Sequence, residues 1–232
     1  MTKERLIKEL PLDQCPDTTR YMIKHTGIDP DDVPEIYGDT VTKIRDLLIE
    51  NLKLFMVFQC YDILEKSPDK ILLENGQIFT GKMAPRILAD ASQVVCYVVT
   101  LAGSQELSAQ LTDIMDSYFS DIWGTVYVEA GEAWLKEQIT ALLSDSGLRR
   151  THSWNPGQHQ FELINQRPLF ELLKPEEIGC SLTSNLFMNP TKTTSGIVGL
   201  VPMDIPEEKD LLPCDFCSLS KTCPASRSKH GN

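Results

Sequence analysis

Long apolar runs are missing from this chain. No stretch approaches the roughly 18 consecutive apolar residues that cross a bilayer, and the start Met1-Thr-Lys-Glu-Arg5 lacks the apolar core of a secretory signal. A membrane partner is not expected, and the expected location is the cytoplasm. Basic charge is also short. Against 33 Asp and Glu stand 22 Lys and Arg, a formal net charge of -11. Clustered cations that would release counterions from a phosphate backbone are therefore lacking, and a nucleic-acid partner is not expected. Also absent are a Gly-rich phosphate loop, a Gly-x-Ser-x-Gly elbow and an HExxH pair. Nucleotide hydrolysis, serine esterase chemistry and zinc protease chemistry thus have no sequence support. The chain has no internal repeat and no low-complexity tract.

What is present is an ordinary globular composition, 41% hydrophobic and 24% charged, long enough to bury a sizeable core. The first forty residues are turn-rich, broken at Asp29-Pro30-Asp31-Asp32 and Gly38, and small helices are expected there. Asp39 or Thr40 is placed to cap a helix to Glu50 that carries Val41, Ile44, Leu47 and Leu48 on one face. Residues 52–63 read as a long strand. Asn75-Gly76 marks a hairpin between two apolar runs, because it accepts the positive φ of a tight turn. A short helix at 84–91, a buried strand at 94–101 and a helix start at Gly103-Ser104 follow. From Ser117 to Leu143 apolar residues recur every three or four positions, among them Phe119, Trp123, Val126, Tyr127, Ala130 and Trp134. That period argues for one long helix packed along a sheet. Its carboxylates Glu129 and Glu132 either face solvent or look toward a ligand.

Leu182-Thr-Ser-Asn-Leu-Phe-Met-Asn-Pro190 runs into Thr-Lys-Thr-Thr-Ser195-Gly196, downstream of Asn155-Pro156-Gly157 and the helical Pro168-Leu-Phe-Glu-Leu-Leu173. A short strand from Ile178 would deliver Thr183, Ser184 and Asn185 to a loop that Pro190 stiffens, before a return strand through Ile197 to Val201. The pattern Leu-Thr-x4-Met-x-Pro-x4-Ser-Gly, with Pro-Gly upstream, resembles the activation domain of cobalamin-dependent methionine synthase from about Asn155 to Gly199. The resemblance implies an α+β fold, a twisted and mainly antiparallel sheet flanked by helices. Its strands would be those near 52–63, 70–80, 94–101 and 178–201.

It further implies a protein that binds S-adenosylmethionine and presents it to a corrinoid carried by a partner protein or methyltransferase. Cofactor contacts would come from Ser153, Trp154, Asn155, Pro156, Gly157, Thr183, Ser184, Asn185, Ser195 and Gly196, with His152 and Gln158 as the catalytic candidates. His152 has a reference pKa near neutrality and suits proton movement during ligand exchange. The family's anchor segment, Arg-x-x-Pro-Gly-Tyr, reads Ser153-Trp-Asn-Pro-Gly-Gln158 here. A serine cannot give the bidentate, always-charged recognition of a carboxylate that an arginine fork gives. Arg149 and Arg150 are the nearest replacements in sequence.

The seven cysteines divide into two sets. Cys15, Cys60, Cys96 and Cys180 lie in apolar segments and read as buried free thiols. Cys214-x-x-Cys217-x5-Cys223-Pro224 reads as a ligand set for an iron-sulfur cluster, with zinc as the alternative and His230 as its further ligand. The expected organisation is an activation-domain-like domain over 1–202 with a helical N-terminal extension, and a metal-binding tail over 203–232. The expected function is a stand-alone, trans-acting reactivation factor for a corrinoid-dependent methyltransferase, served by an electron-donor protein. The alternative is a non-catalytic module that binds or assembles a corrinoid protein.

Overall fold

The computed structural model describes residues 3–223. Chain order begins with β1 (Leu6–Leu10), α1 (Thr18–Thr26), α2 (Thr40–Asn51), β2 (Lys53–Ser67), β3 (Lys70–Leu73), β4 (Ile78–Thr80) and α3 (Met83–Ile87). β5 (Gln93–Ala102), α4 (Ser104–Ser108), α5 (Ile114–Leu142), β6 (Leu148–Arg150), α6 (Gln166–Leu173), β7 (Ser181–Leu182), β8 (Met188–Asn189) and β9 (Thr193–Pro202) follow. Seven strands form one sheet in the order β4-β3-β2-β5-β9-β6, with β1 paired to β2. Every pairing in it is antiparallel. The α+β expectation holds.

Period-two alternation distributes side chains to two cores. Leu54, Met56, Phe58 and Cys60 of β2, with Val95, Tyr97, Val99 and Leu101 of β5, pack under α1, α2 and α5. Their sequence neighbours Val57 and Tyr61, and Val94, Cys96 and Val98, pack on the opposite face with α3 and α6. Both faces are covered, which is why residues 94–101 are apolar without interruption. α5 begins where Asp113 accepts hydrogen bonds from the backbone N–H groups of Met115 and Asp116 at 2.8 and 3.1 Å, satisfying two of the donors a helix start leaves open.

Three local expectations are corrected. The first forty residues are not only helices: β1 pairs with β2 through Leu6↔Phe58 to Leu10↔Leu54, a long-range pairing that the mostly exposed Leu6–Leu10 does not announce in its own pattern. Asp39 precedes α2 but makes no side-chain cap bond. Ile178 closes the 3-10 turn Pro175–Ile178, and only the two-residue β7 follows, which pairs only with β8. β9 alone enters the main sheet from that region, because β5 is free on that side to receive it at Tyr97↔Gly196 and its neighbours.

The thiols follow the same division. Cys15, Cys60, Cys96 and Cys180 are buried. Burial pushes the Cys15 thiol up to about 12 and those of Cys60 and Cys180 up to about 11. Cys214 and Cys217 are half-buried and Cys223 is exposed. Brief alkylation of the native, metal-free chain at neutral pH should therefore modify the three tail cysteines, and the other four only after denaturation. Peptide mapping checks this; rapid native labelling at Cys96 or Cys60 would contradict the packing.

Candidate functional site

The Pro156-Gly157 turn is tied to β9. The Trp154 N–H donates to the Ile197 carbonyl at 3.0 Å, and the Ile197 N–H returns a bond to the Trp154 carbonyl at 2.9 Å. Asn155 Nδ2 donates to Thr194 Oγ1 at 2.9 Å and to the Ser195 carbonyl at 2.7 Å. Gly157 has φ +93° and its N–H meets the Phe161 carbonyl at 2.7 Å, a left-handed position where glycine carries no Cβ penalty. Gly196 lies under this turn with room for no side chain: a Cβ there would come within 2.6 Å of Tyr97 Cζ and 2.9 Å of the Trp154 carbonyl oxygen.

Tyr97, buried in β5, is the centre of a polar cluster. Its hydroxyl donates to Glu132 Oε1 of α5, and Ser153 and Asn155 are hydrogen-bonding neighbours of the same phenol. Burial first, then the Glu132 charge, pushes its pKa well above the ordinary value, so the phenol is a neutral donor. Lys136 stands one helical turn past Glu132. Its Nζ lies 3.5 Å from Glu132 Oε2 and 3.4 Å from Ser153 Oγ. Glu132 is thus the carboxylate that looks inward. Glu129 instead pairs with Lys24 at 2.7 Å and His25 at 3.2 Å, joining α1 to α5.

Ser153 and His152 open into a groove of about 710 Å³ whose walls also include Arg20 and Tyr21 of α1, Trp134, Lys136 and Glu137 of α5, Arg150, and Cys214 from the C-terminal segment. The size suits a nucleoside-sized ligand, and polar groups converge on it from several elements.

The two arginines that sequence proximity nominates are occupied. Arg149 makes a bidentate pair with Asp210 at 2.7 and 2.9 Å and donates to the Ile205 and Pro206 carbonyls at 3.0 and 3.2 Å. Arg150 donates to the Lys136 carbonyl at 3.1 Å and Thr140 Oγ1 at 2.8 Å, with Glu137 at 3.4 Å. Arg149 therefore clamps the segment after β9 to the sheet edge. The same segment covers Trp154, whose indole N–H meets the Leu211 carbonyl at 3.3 Å and whose ring meets Phe216 edge-on at 5.7 Å.

The remaining expected site residues divide. Trp154 is 1% exposed and is packing rather than an open stacking wall. Pro156 is buried beside it, and Gln158 is exposed. Ser195 is buried, donating to Gln166 Oε1 at 3.1 Å. Thr183, Ser184 and Asn185 are exposed at the tip between β7 and β8, where Thr183 Oγ1 accepts from the Phe187 N–H at 3.1 Å. Cys214, Cys217 and Cys223 are not gathered. Among the described residues no three His, Cys, Asp or Glu side chains converge as metal ligands. The cysteines lie on successive turns closed by Cys217 N–H to the Cys214 carbonyl and Cys223 N–H to the Leu219 carbonyl. The described residues give an iron-sulfur or zinc centre no support. Pro224 and His230 lie outside the described residues. No described helix is long and apolar enough to cross a membrane.

Comparison with solved structures finds the MetH reactivation domain bound to AdoHcy, with a TM-score of 0.66 over 88% of this chain and 80% of that one, at 13% identity. The fold is activation-domain-like. No family model matches the sequence, and no curated protein matches it. Within this fold Tyr97 and Lys136 gather at the candidate site beside Ser153, and sequence reading missed both. Only the four-residue spacing of Glu132 and Lys136 on a long helix hinted at a shared face.

Proposed function

We propose that this protein is a reactivation factor for a corrinoid-dependent methyltransferase. It seats an S-adenosylmethionine-type ligand in the groove at Ser153 and presents it to a corrinoid carried by a partner. There the reduction of oxidised cobalt, with an electron from a donor protein, is trapped by methyl transfer. The observation that carries this reading is the fold shared with a reactivation domain bound to AdoHcy, in a chain whose Ser153 and His152 line a groove of nucleoside size. In this reading His152 moves the proton during ligand exchange, and Asn155 fixes the turn. Gln158 and the exposed tip Thr183-Ser184-Asn185 belong to the partner-facing surface. No electron step is assigned to the tail cysteines.

A second reading has one observation in its favour. Ser153 is neutral, and Arg149 and Arg150 are committed elsewhere, as in a module that binds a corrinoid protein without using a methyl donor. Reconstitution with an oxidised corrinoid protein, a reductant and methyl-labelled S-adenosylmethionine separates the two. Label on the corrinoid is the expected result. Stable complex formation without label would replace the reactivation reading with the binding module.

A further inference from the structure

The groove holds three cationic side chains, Arg20, Lys136 and Arg150, and their surroundings differ. Arg150 is held by the Lys136 carbonyl, Thr140 and Glu137. Arg20 is exposed on α1, where water screens its charge. Lys136 is three-quarters buried, its side chain 23% exposed. Its ammonium has three N–H donors, and its contacts to Glu132 and Ser153, at 3.5 and 3.4 Å, are at the long end of hydrogen-bond distance. An ammonium held this loosely, in a partly desolvated wall, gains most from an anionic ligand oxygen that comes closer. The other oxygen of Glu132 is engaged by Tyr97. That contact fixes Glu132 beside Lys136, whose Nζ lies within reach of Ser153.

We infer that Lys136 is the carboxylate-binding residue of this groove, supplying from α5 the positive charge that the neutral Ser153 segment does not. The ligand class is an adenosyl amino acid whose carboxylate lies between Nζ of Lys136 and Oγ of Ser153. This assignment rests on the proposed function, which places such a ligand in the groove. A serine with an ammonium behind it replaces a single long guanidinium: the hydroxyl fixes direction, and the lysine contributes a point charge.

Calorimetry on the full chain with S-adenosylhomocysteine and its carboxamide analogue, in which a neutral amide replaces the carboxylate, tests this. The unmodified protein should prefer the acid by about tenfold or more, the range for a hydrogen bond to a charged group. Lys136→Met and Lys136→Gln should bind the two equally. Lys136→Arg should restore part of the preference, and Arg20→Met should leave it intact. Thermal unfolding of each variant confirms that the comparison is made on folded protein. If the unmodified protein binds neither compound, the ligand reading fails and the assignment goes with it. If both bind and the preference survives in Lys136→Met and Lys136→Gln, the assignment alone is overturned.

Discussion

Arg149→Met should destabilise the native protein by about 3–5 kcal/mol, the cost of breaking a buried ion pair from one side. Arg149 and Asp210 are 10% and 7% exposed at their side chains, and the pair is bidentate. Methionine keeps apolar bulk but takes the bidentate partner from the Asp210 carboxylate and removes the donor from the Ile205 and Pro206 carbonyls. Detachment of the segment after β9 offers an escape, since a released Asp210 is rehydrated. The variant should therefore expose Trp154, gain protease cleavage near 203–213 and alkylate faster at Cys214. Urea unfolding, limited proteolysis and labelling rates measure the three effects. The double variant Arg149→Met with Asp210→Asn should lose clearly less than the sum of the singles, as coupled partners do. A single-variant cost below about 1 kcal/mol, the range of exposed pairs, would show that the clamp does not hold the segment.

Gly196→Ala should cost about 3 kcal/mol, the upper end of ordinary overpacking, and abolish ligand binding. The added methyl would press on the Tyr97 ring at 2.6 Å and the Trp154 carbonyl oxygen at 2.9 Å. One neighbour is a buried ring tied to Glu132 and the other is backbone within a two-bond bridge, so neither yields as the end of a flexible chain does. Gly199→Ala is the internal control, because its nearest atoms are side-chain carbons at 3.0 and 3.1 Å. It should be clearly milder. Denaturant unfolding with near-ultraviolet circular dichroism of Trp154 and Tyr97 reads both variants. Equal, small losses at the two positions would mean that the turn sits more loosely over β9 than described.

Much of the architecture was legible in local patterns. The unbroken apolar run of β5, the Asn75-Gly76 turn and the three-to-four spacing through Phe119, Trp123 and Tyr127 are periodic or steric signals carried by neighbouring residues. They appear as β5, the β3–β4 hairpin and α5. β1 escaped such reading because its stability comes from backbone bonds to β2, more than forty residues away. The site was legible only as a location. Residues 152–157 and 195–196 meet as their spacing suggested, through Trp154, Asn155 and β9.

The sequence by itself determined the buried run of β5, the long helix α5 and the buried thiols, while its family resemblance carried the α+β class and nominated a candidate site. The first three follow from periodicity or composition within a short window. Tertiary structure alone decided which charges are available there. Arg149 and Arg150, nearest in sequence, are consumed by Asp210 and by the end of α5, whereas Lys136, seventeen residues before Ser153, reaches its hydroxyl. The availability of a charged side chain depends on which long-range partners desolvate and pair it, and local sequence carries no signal of those partners.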